Sequence, residues 1–230
     1  VGKNRRNSKW YRTSRRTFMY DFQPLKDRLF EGNAKEVENL VKDALNKKTP
    51  LKDILDNGLI AGMEVVGKKF KANDIFVPEV LLAAKAMHAG MNILEPLLVK
   101  EGIKPIAKVA IGTVKGDLHD IGKNLVSMMF RGAGFDVLDF GIDVPAEKFV
   151  KAAADGDVKV IAMSALLTTS MPSMKKTIEA LKSAGVLKKI KTVIGGAPVT
   201  QEYANEIGAD GYAADAASAV DKVKELLYLK

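Results

Sequence analysis

From residue 108 onward the chain repeats one pattern five times: a short apolar run, a turn rich in small residues, then a segment with helical spacing of apolar positions. Apolar runs with little polar alternation belong to strands buried on both faces, and such strands are parallel ones joined by crossover helices. The spacing predicts strands at 108–114, 135–140, 158–164, 192–195 and 211–213, with helices near 121–132, 145–154, 171–185, 200–207 and 216–228. This is the plan of a doubly wound parallel sheet, Rossmann-like or flavodoxin-like. Ligands of such sheets sit beyond the carboxyl ends of the strands, so the loops after the first, third and fourth strands are where a site is expected.

Ahead of this half the periodicity is helical throughout. A short helix is expected over Gln23–Phe30, with Pro24 in its first turn, where a missing N–H costs nothing. A second runs over about 34–47, with Asn33 as N-cap, Glu36 three residues on, and Val37, Leu40, Val41 and Leu45 as its buried stripe. A third starts with Thr49 as cap and Pro50 in the first position, and continues through 59–70 with a break expected near Asn57-Gly58. The last, about 77–99, is apolar and alanine-rich. Four antiparallel helices with short loops make a bundle. The expected division is a helical bundle at 19–101, a linker at 102–107 with Gly102 and Pro105 as candidate hinge, and the α/β domain at 108–230.

The formal net charge of +8 suggests nucleic acid, but its distribution argues otherwise. Lys3, Arg5, Arg6, Lys9, Arg12, Arg15 and Arg16 supply seven of those charges within residues 1–18, which contain no acid, so the remainder is nearly neutral. Residues 1–18 are expected to be a disordered basic leader without function, translated ahead of a natural start at Met19, and no nucleic-acid partner is expected. The chain has no cysteine, hence no disulfide or thiolate metal site. No apolar run approaches the ~20 residues of a membrane span, so no membrane partner is expected and a cytoplasmic setting is.

The first expected strand leads into Gly116-Asp117-Leu118-His119-Asp120-Ile121-Gly122-Lys123-Asn124. A histidine on a loop leaving a strand can project one ring nitrogen into a cleft, and a carboxylate on the other nitrogen fixes its tautomer and raises its basicity toward a metal. Gly122 lets the start of the next helix approach a bulky ligand. A phosphate-binding loop is a poorer match: it needs four residues between its glycines and a hydroxyl after the lysine, whereas five separate Gly116 from Gly122 and Asn124 follows Lys123. The third strand ends in Ser164-Ala165-Leu166-Leu167-Thr168-Thr169-Ser170, small and hydroxylic; the fourth ends in Gly195-Gly196-Ala197-Pro198, a floor poor in side chains. Together these loops suggest a long pocket for an extended aromatic tail, polar at one end. His88, beside Met87 and Met91 on the last bundle helix, is expected to be packing or surface.

With these residues in hand, the chain resembles the corrinoid proteins of methyltransferase systems. It is similar to the cobalamin-binding module of methionine synthase and to the corrinoid subunits of methanol, methylamine and aryl-ether demethylation. The likeness rests on Asp117-x-His119-x-x-Gly122, Ser164-x-Leu166 and Gly195-Gly196, and in the helical half on Gly62-Met63-x-x-Val66-Gly67-x-x-Phe70 with Phe76-Val77-Pro78. The resemblance implies a cobalamin or related corrinoid, with His119 as lower axial ligand to cobalt, Asp117 bonded to its far nitrogen and Ser170 bonded to Asp117. It places Gly116, Leu118, Ile121 and Gly122 in the cofactor loop. Ser164 and Thr168 would contact the displaced base, with Leu166, Gly195, Gly196 and Ala197 lining its pocket. Phe70 and Val77 would lie over the ring's upper face, although leucine is common where Val77 stands, and glycine where Ala165 stands.

The implied function is a methyl carrier. It would accept a methyl group on cobalt(I) from a substrate:corrinoid methyltransferase and deliver it from methyl-cobalt(III) to a second methyltransferase with a folate or thiol acceptor. A reductive activation protein is a further implied partner. The bundle would have to swing aside for each of them. The alternative is a corrinoid-dependent sensor, a binding module without transfer chemistry.

Overall fold

In the computed structural model, which describes residues 20–229, β1 (Lys108–Thr113), β2 (Asp136–Asp139), β3 (Val158–Ser164), β4 (Lys191–Gly195) and β5 (Gly211–Ala213) form one sheet in the order β2-β1-β3-β4-β5. Every pairing is parallel. The leader expected at 1–18 lies outside the described residues. The strand order is the flavodoxin-like one of the two arrangements the sequence left open, and its switch point falls between β1 and β3. Along β1 the side chains alternate between the two faces: Val109 and Ile111 join one core, Ala110 the other. Helices α6 (Ile121–Gly132) and α10 (Ala216–Leu226) cover the first face; α7 (Ala146–Ala154), α8 (Pro172–Ser183) and α9 (Gln201–Ile207) cover the second. A short 3₁₀ turn at Leu187–Lys189, which the pattern did not signal, precedes β4.

The N-terminal half is helical. It comprises α1 (Gln23–Phe30), α2 (Ala34–Asn46), a continuous helical rod from α3 (Leu51–Asp53) through a π-helical stretch (Ile54–Ile60) into α4 (Ala61–Lys71), and α5 (Val77–Lys100). The break expected near Asn57-Gly58 is therefore a widening, not an interruption. Gly58 packs against α1 so closely that a Cβ there would meet Leu25 Cδ2 at 2.6 Å, and the wider coil lets the rod keep that contact while staying helical. Pro50 stands just before the first turn, one place earlier than expected, because its extended ψ of 137° is not helical. Asn33 caps α2 by accepting from the Glu36 N–H at 3.2 Å.

Helix α5 ends in a Schellman turn. The Ile103 N–H donates to Leu98 O and the Gly102 N–H to Val99 O, with Gly102 at φ +71°, a conformation that costs glycine little. The segment 102–107 that follows is anchored: Ile103 packs on the core and the Ile106 N–H donates to Gly134 O at 3.1 Å.

The bundle and the sheet share one core. Leu29, Val41, Leu59, Met63 and Leu94 of the helical half belong to the same buried cluster as Val109, Phe130, Val160, Val193 and Val220. At the rim two ion pairs cross between the halves, Lys71–Asp221 and Lys224–Glu64, each at 2.8 Å. Exposed pairs of this kind contribute about 0–1 kcal/mol, so the apolar cluster holds the halves together. Among the described residues no helix is long and apolar enough to cross a membrane.

Candidate functional site

The site grows from one buried carboxylate. Asp117 follows β1 and is fully inaccessible to solvent. Its Oδ1 accepts from the His119 N–H at 3.1 Å and lies 2.8 Å from His119 Nδ1. Its Oδ2 accepts from the N–H groups of Leu166 at 2.7 Å and Leu167 at 3.2 Å, and from Ser170 Oγ at 2.6 Å. These bonds tie the loop after β1 to the loop after β3, across the switch point. Burial alone would raise the Asp117 pKa, but the hydrogen bonds from Ser170, the His119 N–H and the Leu166 N–H, with that of the His119 ring, outweigh it and hold the carboxyl well below the usual carboxylate range.

A permanent carboxylate fixes the imidazole. With Nδ1–H donating to Asp117, the lone pair of His119 is on Nε2, and the side chain is 50% exposed. The backbone is held from the other side, since Thr113 Oγ1 donates to His119 O at 2.8 Å. Because the folded-state pKa of Asp117 is depressed, its stabilising contribution is complete above the unfolded value of about 3.9 and is lost as pH falls below that. Denaturant midpoints measured from pH 7 down to pH 2.5 are expected to drop steeply below about pH 4 in the native protein. Asp117→Asn is expected to be less stable at pH 7 and to show a flatter acid limb; an equally steep limb in the variant would reassign the acid sensitivity.

Beyond His119 a cavity of about 490 Å³ opens over the carboxyl edge of the sheet, within the ~300–1,000 Å³ of small-molecule sites. His119, Leu118, Ile121 and Gly122 line it from the β1 loop, Ser164 and Leu166 from the β3 loop, and Gly195, Gly196 and Ala197 from the β4 loop. Phe70, at the end of α4, reaches it from the bundle. Leu118 is 69% and Ile121 78% exposed, so the rim beside His119 is apolar and uncovered.

The other expected site residues stand back from the lining. Asp117 and Ser170 are buried behind His119. Gly116 turns the loop at φ +85°, its N–H donating to Asp143 Oδ1 at 2.8 Å. Thr168 is exposed on the β3 loop, and Val77 is half-buried against the shared core. His88 is exposed on α5, as expected.

Backbone approach sets the cavity's floor. Gly196 has φ +132°, and a Cβ there would sit 1.9 Å from Ala165 O; a Cβ on Gly195 would sit 2.9 Å from Ala213 O. No side chain fits between these strand ends, which leaves a flat slot. The residues therefore fit a corrinoid. Among the described residues no group of three or more His, Cys, Asp or Glu is placed to hold a bare metal ion, while one anchored imidazole suits a metal whose other positions a macrocycle fills.

Sequence reasoning missed two parts of the site. Lys123 is 3% exposed, lines the cavity and places Nζ 2.7 and 2.6 Å from the two oxygens of Asp139; a cation in the first turn of a helix opposes the helix dipole, and that conflict was the available signal. Ala214 and Asp215, from the loop after β5, also line it. The expected strand at 211–213 already placed them at a carboxyl end, but that loop was not among those searched.

Comparison with known proteins gives two matches to family models described as B12 binding domain, over residues 107–221 and 22–95. A corrinoid protein of Desulfitobacterium hafniense is 41% identical over 206 residues, 88% of this chain and 95% of that protein. A trimethylamine corrinoid protein of Methanosarcina barkeri is 44% identical over 192 residues, covering 83% of this chain and 88% of that one. Among solved structures, a chain of the methanol:cobalamin methyltransferase complex of Methanosarcina barkeri superposes with a TM-score of 0.79 at 30% identity, over 89% of this chain and 78% of that chain.

Proposed function

The chain belongs to the family of corrinoid proteins built from B12 binding domains, and from that premise we propose that it is the methyl carrier of a multi-component methyltransferase system. The observation that carries the proposal is His119: an imidazole with a free Nε2, clamped by a buried carboxylate, at the end of a slot floored by backbone. When bound, the corrinoid supplies a cobalt centre that takes up and gives up a methyl group, while the protein supplies binding and orientation.

His119 Nε2 is the atom that would hold the cobalt. Asp117 keeps the proton on Nδ1, so the lone pair faces the cavity throughout, and Ser170 and the β3 loop keep Asp117 in place. Ser164 supplies a neutral hydroxyl in the slot, Gly195 and Gly196 form its floor, Leu166 and Ala197 line it, and Phe70 lines it from the bundle, where it would shield the bound group from water. Gly116, Leu118, Ile121 and Gly122 set the loop's course, and we keep Thr168 and Val77 as contacts made once the cofactor is seated.

A methyltransferase is the proposed partner, in keeping with the likeness to the methanol:cobalamin methyltransferase complex and to a trimethylamine corrinoid protein. A second methyltransferase with a folate or thiol acceptor and a reductive activation protein complete the proposal, with a cytoplasmic setting. The relatives do not favour the sensor alternative. The test is to load the protein with hydroxocobalamin, reduce its cobalt(III) to cobalt(I) with a low-potential reductant such as titanium(III) citrate, and add a methylamine or methanol methyltransferase with its methyl donor. Methylation of the bound corrinoid supports the carrier reading; a loaded protein that no such enzyme methylates, and that changes oligomeric state with light, refutes it.

A further inference from the structure

The cavity is longer than the anchoring of one ring requires. His119 follows β1 and Asp215 follows β5, three strands away across the order β1-β3-β4-β5, which at about 4.8 Å per strand is about 14 Å. The slot between them is walled by apolar groups such as Val126, Phe130 and Val193. Its polar side chains are few. Lys123 is taken up by Asp139, and the Asp120 carboxylate accepts from Asn124 Nδ2 at 3.0 Å; both belong to the His119 end. Ser164 lies in the middle, and Asp215 is the polar group of the far end.

Asp215 is held ready to accept. Its Oδ1 accepts from the Ser218 N–H at 2.8 Å and its Oδ2 from Ser218 Oγ at 2.7 Å, so the carboxylate is fixed in orientation at the start of α10. Each oxygen retains a further lone pair. A fixed, half-buried carboxylate at the end of an apolar slot selects for a hydrogen-bond donor, and for a hydroxyl over a cation because the helix start already balances its charge.

Resting on the corrinoid reading above, we propose that Asp215 is a specificity residue that accepts a hydrogen bond from a sugar hydroxyl of the corrinoid's nucleotide tail, so that the chain selects complete corrinoids over tail-less ones. The competing role is helix capping alone, and the variants separate the two. Asp215→Ser retains a cap for the Ser218 N–H but withdraws the carboxylate; Asp215→Asn retains both a cap and an oxygen acceptor.

The experiment measures the affinities of hydroxocobalamin and of aquacobinamide, which lacks the nucleotide tail, for the native protein and both variants by fluorescence quenching, with thermal melts of the unloaded proteins confirming folding. The preference for hydroxocobalamin is expected to fall about tenfold or more in Asp215→Ser, as for loss of a bond to a charged acceptor, and by less in Asp215→Asn. An unchanged preference in Asp215→Ser reduces Asp215 to a helix cap and overturns this proposal alone. A native protein that binds neither corrinoid overturns the reading it rests on as well.

Discussion

His119→Ala is expected to take away the side chain proposed to hold cobalt and to lower methyl transfer to the hydroxocobalamin-loaded protein, its cobalt first reduced to cobalt(I), by more than about 100-fold, since loss of supporting groups alone typically costs 10–100-fold in metal sites. The absorption spectrum of the loaded variant should lose the features of a nitrogen-ligated, base-off corrinoid. The glycine floor and the far part of the slot do not involve this side chain, so the variant should still fold and still take up some corrinoid. That separation makes the result informative. A variant whose spectrum matches the native one would mean that another group, or the cofactor's own base, holds the metal.

Gly196→Ala should have the second large effect, and on stability first. Two penalties coincide: φ at +132°, which side-chain-bearing residues rarely adopt, and a Cβ placed 1.9 Å from the Ala165 carbonyl oxygen. Ala165 is itself pinned, its N–H donating to Gly195 O at 3.2 Å, so the β3 and β4 loops cannot separate without losing that bond. The expected cost is about 4 kcal/mol, at the upper end for a single substitution. For a chain of this size that lowers the melting temperature by about 10 °C. Hydroxocobalamin should no longer restore stability, because the added methyl group pushes apart the strand ends that form the floor. Thermal melts with and without hydroxocobalamin check both points, and a variant that melts within 3 °C of the native protein (about 1 kcal/mol) would contradict the steric argument.

These residues show how far the sequence could be read. The strands were legible because buried parallel strands are nearly pure apolar runs, and β3 falls on residues 158–164 as expected. The helix over Ile121–Gly132 was legible from its periodicity. What escaped was set by packing. The π-helical stretch at Ile54–Ile60 depends on how closely Gly58 meets Leu25, a contact between helices that no local pattern encodes. The flavodoxin-like order follows from pairing between distant strands, so the runs alone left it open. Within the site, Asp117 and His119 are two residues apart and their pairing is a short-range matter, whereas the bonds from Leu166 and Leu167 span 49 and 50 residues. Lys123 entered the sequence reading only through the phosphate-loop comparison, because its partner Asp139 is 16 residues away and only the fold brings the two together.

The core that the bundle shares with α6 and α10 has a mechanical consequence. Lifting the bundle from the sheet uncovers side chains such as Met63 and Met129, which are almost wholly shielded in the closed arrangement. Each 100 Å² of such surface left wet disfavours the open form by about 2.5 kcal/mol. Breaking two rim ion pairs is minor beside that, so spontaneous excursions must be scarce, and under the carrier proposal a methyltransferase reaching the metal would have to bring an oily surface of its own to replace the one it displaces.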